Sequence, residues 1–145
     1  MKDNVFELLK EQIVKSPFAK HMGITVQDIG PGYAKVEATY SEEMHNFHGI
    51  VHGGAIFALI DEAFGAASNS HGTIALALNM NITFIKPPQI QSNLVAEAKE
   101  ESRSQHTATY HIEVYQKGEH KDQIIAVCQA LVYRKDQILP FLKGH

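Results

Sequence analysis

Hydrophobic residues recur at helical spacing in two parts of the chain. From Asn4 to Lys15 the pattern predicts a short amphipathic helix that begins with an Asn4–Glu7 capping pair and ends at Ser16-Pro17. The segment 53–69 is apolar almost all round and rich in alanine and glycine. Since a helix without a polar stripe must be buried on most sides, we expect the rest of the chain to surround this second helix.

Elsewhere the hydrophobic positions alternate, as they do in β-strands. The predicted strands are 24–29, 34–40, 73–84, 94–100, 107–115 and 124–133. The first two flank Gly30-Pro31-Gly32, which predicts a hairpin, and the last two are joined around Gly118. In the long run from Thr73, the residues expected on one face are Ile74, Leu76, Leu78, Met80, Ile82 and Phe84. The run 124–128 is apolar on both faces, which is typical of a strand inside a sheet.

Together these elements predict an α+β fold. We expect an antiparallel sheet of five to six strands wrapped around one long central helix, with a short N-terminal helix added. The length of 145 residues suits a single core, so the chain is expected to form one domain, 1–145.

The charge balance and the cysteine count narrow the class of function. The formal net charge is -3 and the pI about 6.3, so neither nucleic acid nor an anionic membrane is an expected partner. The single cysteine cannot form an intrachain disulfide. No apolar run suggests a signal peptide or a membrane span, which makes the cytoplasm the expected compartment. Function must therefore lie in a local site.

Two features of the central helix could carry chemistry. Asp61 places a carboxylate in an otherwise apolar helix, where it must find a partner, take a raised pKa or reach a pocket. Gly53 and Gly54 begin the helix, so their N–H groups could form an oxyanion hole. The alternatives are a solvated helix edge for Asp61 and Glu62, and a loop-to-helix junction for the glycines.

The separation of Gly53 and Asp61 predicts a second subunit. Eight residues along one helix span about 12 Å, so one carbonyl group cannot contact both residues of the same chain. A two-fold interface with antiparallel central helices would instead place Gly53 of one copy opposite Asp61 of the other. We therefore expect an obligate dimer.

Metal and thiol chemistry are the weaker interpretations. His48 and His52 have the i, i+4 spacing of a metal site, with His45 nearby, but Gly49 lies between them and makes loop geometry more favourable. His52 is instead expected to orient the loop or the Gly53 amide. Cys128 lies in an apolar strand without an adjacent cation, as a buried inert thiol would. No phosphate-binding or dinucleotide-binding motif occurs, and no metal or cofactor is expected.

Two segments resemble a known family. The run from Asn46 to Asp61, NFHGIVHGGAIFALID, resembles the signature of hotdog-fold thioesterases of the phenylacetate-pathway (PaaI-like) type. The run from Asn79 to Pro87, NMNITFIKP, is similar to the strand that follows in that family. The resemblance covers nearly the whole chain and implies a single hotdog domain.

The resemblance also implies roles for individual residues. Asp61 would be the nucleophile or the base that activates water, Gly53 would polarise the thioester carbonyl, and Asn46 would position the water or the carboxylate. Relatives often carry a hydroxyl residue where this sequence has Ala77. The residues expected near the substrate or coenzyme A are Gly54, Ala77, Asn79, Lys86 and Arg103, the last two as candidates for its phosphates.

The expected activity is that of an acyl-CoA thioesterase acting on an aryl or a medium- to long-chain acyl group. The alternatives are a hotdog dehydratase of hydroxyacyl thioesters and a regulatory domain that binds acyl-CoA without hydrolysing it. The expected assembly is a dimer, with two dimers pairing into a tetramer.

Overall fold

The computed structural model of the chain describes residues 2–144. Its helices are α1 (Lys2–Lys15), α2 (Pro17–Met22) and α3 (Gly53–Asn69). Its strands are β1 (Thr25–Gly30), β2 (Tyr33–Thr39), β3 (Thr73–Phe84), β4 (Asn93–Arg103), β5 (Thr107–Gln116) and β6 (Gln123–Ile138). Short 3₁₀ helices lie at Glu42–Met44 and Pro140–Leu142. Of the helices in this part of the chain, none combines the length and the apolar character needed to cross a bilayer.

The six strands form one antiparallel sheet around α3. Their order is β1-β2-β4-β5-β6-β3, and α3 packs against β2, β4, β3 and β5. Ile56, Ile60 and Phe64 of α3 are fully buried, and the Phe64 ring meets the Tyr110 ring of β5 edge-on at 5.5 Å. The prediction of an α+β fold with one wrapped central helix is therefore confirmed.

The N-terminal helix is confirmed, but its predicted start is wrong. α1 begins at Lys2, so Asn4 lies inside the first turn and does not cap the helix. Ser16-Pro17 ends α1 as expected and also begins α2, which the sequence pattern did not predict. The Ser16 hydroxyl accepts the Ala19 N–H at 3.3 Å, and Pro17 occupies the first helical turn, where proline is well tolerated.

The β1–β2 hairpin turns at Pro31-Gly32, as predicted. Gly32 has φ +66, a conformation that favours glycine. The Gly32 N–H donates to the Ser70 hydroxyl at 2.8 Å, directly after α3. A Cβ at Gly32 would lie 2.7 Å from Oε2 of Glu100, so the turn packs closely against β4 as well.

A partly buried polar cluster around Glu100 holds this end of α3 in place. The Tyr110 hydroxyl donates to Glu100 Oε2 at 2.9 Å, His71 Nε2 lies 2.6 Å from the same oxygen, and Arg103 Nε lies 3.7 Å from Oε1. Burial alone would raise the pKa of Glu100, but the hydrogen bonds from His71 and Tyr110 outweigh it and lower the pKa. The carboxylate is thus charged and compensated where the central helix ends.

The prediction that one face of β3 carries all its large apolar residues is wrong. Ala77 pairs with Val132 and Asn79 pairs with Leu131 on β6, so Leu78 is an extra residue, a β-bulge. Before the bulge Ala75 is the buried residue, whereas after it Met80 and Ile82 pack on the core. Leu76 and Leu78 are consequently exposed.

The strand β6 lies inside the sheet, between β5 and β3, as its apolar pattern predicted. Ile125, Ala126 and Cys128 are buried in it. β3, in contrast, is the last strand of the sheet and pairs on one side only within the described residues. Its other side presents a free backbone edge 12 residues long.

Candidate active site

A tight loop leads into α3 and is organised by Asn46. The Asn46 side-chain oxygen accepts the N–H groups of His48 at 2.9 Å and Ile50 at 3.3 Å. The Asn46 backbone N–H donates to the Ile50 carbonyl at 2.7 Å, and Gly49 turns the chain with φ +78. These bonds fix the loop, so the start of α3 is held in a defined position.

His52 caps α3 with its ring. Its Nδ1 accepts the Gly54 N–H at 2.8 Å, which places the proton of a neutral ring on Nε2, and its carbonyl accepts the Ala55 N–H at 2.9 Å. A Cβ at Gly54 would lie 2.8 Å from His52 Nδ1, so glycine makes room for this cap. The Gly54 amide, expected near the substrate, is therefore already hydrogen-bonded.

The Gly53 amide is left free. Among the described backbone groups and the side chains of residues 4–144, no acceptor lies in hydrogen-bonding reach of its N–H. It lies in a groove of about 280 Å³ whose apolar walls include Phe84, Ile85 and Ile125, with Lys86 also lining it. Because the first N–H groups of a helix are unpaired and carry partial positive charge, the groove offers a donor to a carbonyl oxygen.

Asp61 lies on an exposed stripe of α3. Gly53, Phe57 and Asp61 follow one another at four-residue intervals and are exposed, and Gly65 continues the stripe partly covered. Among the described residues the Asp61 carboxylate has no hydrogen-bond or ion-pair partner. Partial burial raises its pKa above the usual value. A carboxylate with these properties suits a general base or a nucleophile.

Asp61 also influences two neighbouring groups. Burial and the Asp61 charge both raise the pKa of Glu62, the next residue on α3. Burial raises the pKa of Cys128 to about 11, and the Asp61 charge contributes in the same direction, although a backbone hydrogen bond from Asn81 opposes it. The Cys128 thiol therefore stays neutral.

One chain does not bring Gly53 and Asp61 together. Both lie on the single continuous helix α3, so the eight-residue spacing again corresponds to about 12 Å. The structure therefore retains the geometric reason to expect a second copy.

The other residues expected near the substrate are spread over the molecule. Ala77 and Asn79 flank the β3 bulge and face opposite sides of the sheet, because Val132, the partner of Ala77, is in the core whereas Leu131, the partner of Asn79, is not. Asn79 accepts the Asn81 side-chain amide at 2.9 Å on the outer side.

The two candidate cations lie at opposite ends of α3. Lys86 lines the Gly53 groove and donates to Gln123 at 2.6 Å. Arg103 joins the Glu100 cluster and lines a separate cavity of about 490 Å³ together with Arg134. Since α3 has 17 residues, about 25 Å separates its ends.

Sequence reasoning missed two aromatic residues at the site. Phe84 Cζ lies 3.4 Å from the position of a Cβ at Gly53, so the ring packs beside the free amide. Phe57 lies on the stripe between Gly53 and Asp61. The β-strand pattern treated Phe84 as one residue of an apolar face, and the helix pattern treated Phe57 as core. Among the described side chains, those of residues 4–144, no three His, Cys, Asp or Glu side chains are grouped to hold a metal ion.

Comparison with known proteins finds a family model, relatives and a solved structure to which this chain is similar. The family model described as "Thioesterase superfamily" matches residues 48–122. A protein of Archaeoglobus fulgidus named "Putative esterase" is 39% identical over 138 residues, 95% of this chain and 79% of that protein. The acyl-coenzyme A thioesterase PaaI of Escherichia coli K12 is 36% identical over 96 residues, 66% of this chain and 69% of that enzyme. The structure of the E. coli PaaI protein from the phenylacetic acid degradation operon superposes with a TM-score of 0.86 at 27% identity, over 94% of this chain and 97% of that chain.

Proposed function

The chain belongs to the thioesterase superfamily as a PaaI-like, hotdog-fold thioester hydrolase, and we propose that two copies of it together build each site for acyl-CoA hydrolysis. The observation that carries this proposal is the free Gly53 N–H in an apolar groove, with the Asp61 carboxylate farther along the same exposed stripe. In an antiparallel pair of helices, Gly53 of one copy and Asp61 of the other face each other across a single substrate.

The proposed reaction uses both groups on one thioester. The carbonyl oxygen accepts the Gly53 N–H, and the N-terminal end of α3 stabilises the negative charge that develops on this oxygen. Asp61 of the second copy either attacks the carbonyl carbon or takes a proton from a water molecule that does so. In both routes the carbon–sulfur bond breaks, one water molecule is consumed, and a free acid and a thiol leave. Neither route calls for a cofactor.

Asn46 and His52 act as positioning residues in this proposal. His52 holds the Gly54 N–H and thereby fixes the first turn of α3, so that the Gly53 N–H keeps its direction. The Asn46 side-chain oxygen is engaged in its own loop. Its side-chain N–H groups are thus the ones that would orient the water or the carboxylate.

The substrate would extend from the apolar interface to the surface. We expect an aryl or a medium- to long-chain acyl group on the apolar side, and Lys86 near the coenzyme A phosphates. Arg103 lies about one helix length from Gly53 of its own chain and could reach only the substrate bound to the second copy's glycine. Of the two β3 residues, Ala77 lies on the side of the sheet that faces α3.

The surface of the chain favours the required dimer. The free backbone edge of β3 lies beside exposed apolar side chains, namely Leu76, Leu78, Phe57 and Phe84. An uncovered strand edge with apolar neighbours is costly in water and is commonly paired. Pairing two copies at this edge would bring the two α3 stripes together.

Thiol release from a panel of acyl-CoAs tests the proposal directly. The panel contains phenylacetyl-, benzoyl-, hexanoyl- and dodecanoyl-CoA, and the variant is Asp61→Asn. We expect turnover by the wild type and a loss of at least about a hundredfold in kcat for the variant. Glu62→Gln is the matched control, because this neighbouring carboxyl also has a raised pKa but lies off the stripe. Equal turnover by wild type and Asp61→Asn would refute the role of Asp61.

A further inference from the structure

Phe57 is the one large apolar side chain on the exposed stripe of α3. It is 42% exposed, whereas its helix neighbours Ile56, Ala58 and Leu59 are buried. It lies four residues after Gly53 and four residues before Asp61, which is about 6 Å along the helix from each. A solvent-exposed phenylalanine midway between the Gly53 amide and the Asp61 carboxylate is costly for a chain that acts alone.

The spacing determines what Phe57 would face in the pair of helices. This step rests on the two-copy site proposed above, in which Gly53 of one copy lies opposite Asp61 of the other. In an antiparallel pair, a stripe residue that lies before the midpoint of positions 53 and 61 faces a residue of the second copy. That residue lies the same number of positions after the midpoint. That midpoint is position 57, so Phe57 faces the same residue of the second copy and lies on the two-fold axis.

We infer that the two Phe57 rings meet on the two-fold axis and form a common wall between the two acyl pockets, where they limit the length of the acyl group. Each pocket has its reacting carbonyl between Gly53 and Asp61, one helical turn away from this wall. An acyl group that extends from this carbonyl along the stripe reaches the rings after one helical turn. Two phenyl rings also pack favourably edge-to-face or offset, which stabilises the wall.

The wall predicts selectivity among acyl groups. An arylacetyl or short acyl group fits in front of the rings and contacts their faces. A longer chain requires both rings to move, because the two pockets share them. Replacing the ring by a smaller side chain removes the wall from both pockets at once.

Cross-linking tests the position of Phe57 without any activity measurement. In the Phe57→Cys variant, two thiols would lie across the axis, and a short bismaleimide or a mild oxidant should join two chains covalently. Gly65→Cys is the matched control: it lies on the same stripe, and a Cβ there meets nothing within 4 Å. Its two copies would lie about 24 Å apart, measured along the paired helices. Wild type controls for Cys128, which is buried and has a raised pKa.

The expected result is a covalent dimer for Phe57→Cys and none for Gly65→Cys or wild type. Absence of the covalent dimer in Phe57→Cys, or equal cross-linking in Gly65→Cys, overturns the inference. Because the readout is a change in mass, it is independent of whether the protein hydrolyses any particular substrate.

Acyl-chain selectivity tests the wall itself. For Phe57→Ala we expect the kcat/KM ratio of dodecanoyl-CoA to phenylacetyl-CoA to rise by about tenfold or more, since burial of additional methylenes is favourable. Phe57→Leu, a smaller change that keeps an apolar side chain, should give an intermediate ratio. Phe18→Ala, at an exposed phenylalanine on α2, is the control and should leave the ratio unchanged. An unchanged ratio in both Phe57 variants refutes the wall. Absence of turnover by the wild type on every acyl-CoA tested would instead refute the proposed function.

Discussion

Gly53 and Gly54 differ in what surrounds their amide groups. Gly54 donates to the His52 ring and lacks a side chain because a Cβ there would collide with that ring. Gly53 has no such partner among the described residues, and a Cβ there would only touch Phe84 at an ordinary contact distance of 3.4 Å. Glycine at position 54 is thus explained by the cap, whereas at position 53 it leaves the groove open beside a free donor.

Removal of that donor is predicted to stop turnover while preserving the fold. Proline is favoured at the first position of a helix, and His52 before it already has φ -72 and ψ 132, which proline accepts. Gly53→Pro therefore replaces the amide hydrogen by the carbons of the proline ring and suits the helix. We expect a Tm close to that of wild type and a kcat about a hundredfold lower.

The control for this experiment is Gly53→Ala, which retains the N–H. It should keep clearly more activity than Gly53→Pro. Equal kcat values for the two variants would mean that bulk in the groove, rather than the lost N–H, causes the defect.

The charged Asp61 carboxylate is predicted to lower the stability of the fold while it supports activity. Its folded-state pKa is raised by burial, so at neutral pH the charged form costs stability, and this cost disappears as the pH falls through the raised pKa. Turnover should fall as the pH falls through this range, because the reaction needs the charged carboxylate. Asp61→Asn should therefore have a Tm above that of wild type at neutral pH, and the difference should shrink in mild acid.

Thermal unfolding across this pH range measures the effect. Glu11→Gln, which removes an exposed carboxylate on α1, serves as the control for the loss of a surface charge. A constant Tm difference between Asp61→Asn and wild type at every pH would show that the effect does not come from titration of Asp61.

At the level of elements, the sequence pattern predicted those helices and turns that depend on short segments of the chain. The central helix and the β1–β2 hairpin were found as expected, because their periodicity and the Pro31-Gly32 turn are properties of short segments. The apolar face of β3 differed from the prediction, because the bulge at Leu78 depends on how β3 pairs with β6. The sequence pattern does not predict α2, because a Ser-Pro pair that ends one helix suits the first turn of another equally well.

The site was predictable to a similar extent. Gly53 and Asp61 stood out by residue type and spacing, and the structure places both on one stripe. His52 was expected to orient the loop or the Gly53 amide, whereas its ring caps the Gly54 amide. This cap is hard to predict, since histidine is not among the usual N-cap residues. The packing of Phe84 beside Gly53 is a long-range contact that strand alternation cannot show.

The two glycines with nearly equal φ values allow a prediction about the hairpin. Gly23 has φ +67 and open space around a Cβ, whereas Gly32 has φ +66 and a Cβ there would press on Glu100. Gly23→Ala should cost about 1–2 kcal/mol, the strain of the left-handed conformation alone. Gly32→Ala should cost at least about 1 kcal/mol more, because three partners hold the Glu100 side chain in place.

Urea unfolding of the two variants gives this difference. Equal losses of unfolding free energy would show that Glu100 can move aside, and the Glu100 cluster would then be looser than its hydrogen bonds indicate.

At the scale of the whole molecule, α3 is fixed at both ends. The His52 loop holds its start, and the contacts of Ser70, Gly32 and Glu100 hold its end. The exposed stripe between them is therefore presented as a rigid surface. A rigid stripe is well suited to meet a second copy in one defined register.

Mixing two inactive variants is predicted to restore activity. In a dimer of one Gly53→Pro chain and one Asp61→Asn chain, one of the two sites has a native glycine and a native aspartate. Random exchange of subunits should recover about a quarter of the wild-type activity. Each variant alone is the control, and no recovery after verified subunit exchange would refute a site shared between copies.

The buried thiol of Cys128 has a consequence for the environment in which such an enzyme works. Every turnover on acyl-CoA liberates coenzyme A, whose own sulfur can be oxidised to a disulfide. Exchange with a disulfide requires an accessible thiolate, and Cys128 is both buried and, with a pKa of about 11, protonated. The folded chain should therefore tolerate an oxidised pool of its own product without becoming covalently modified by it.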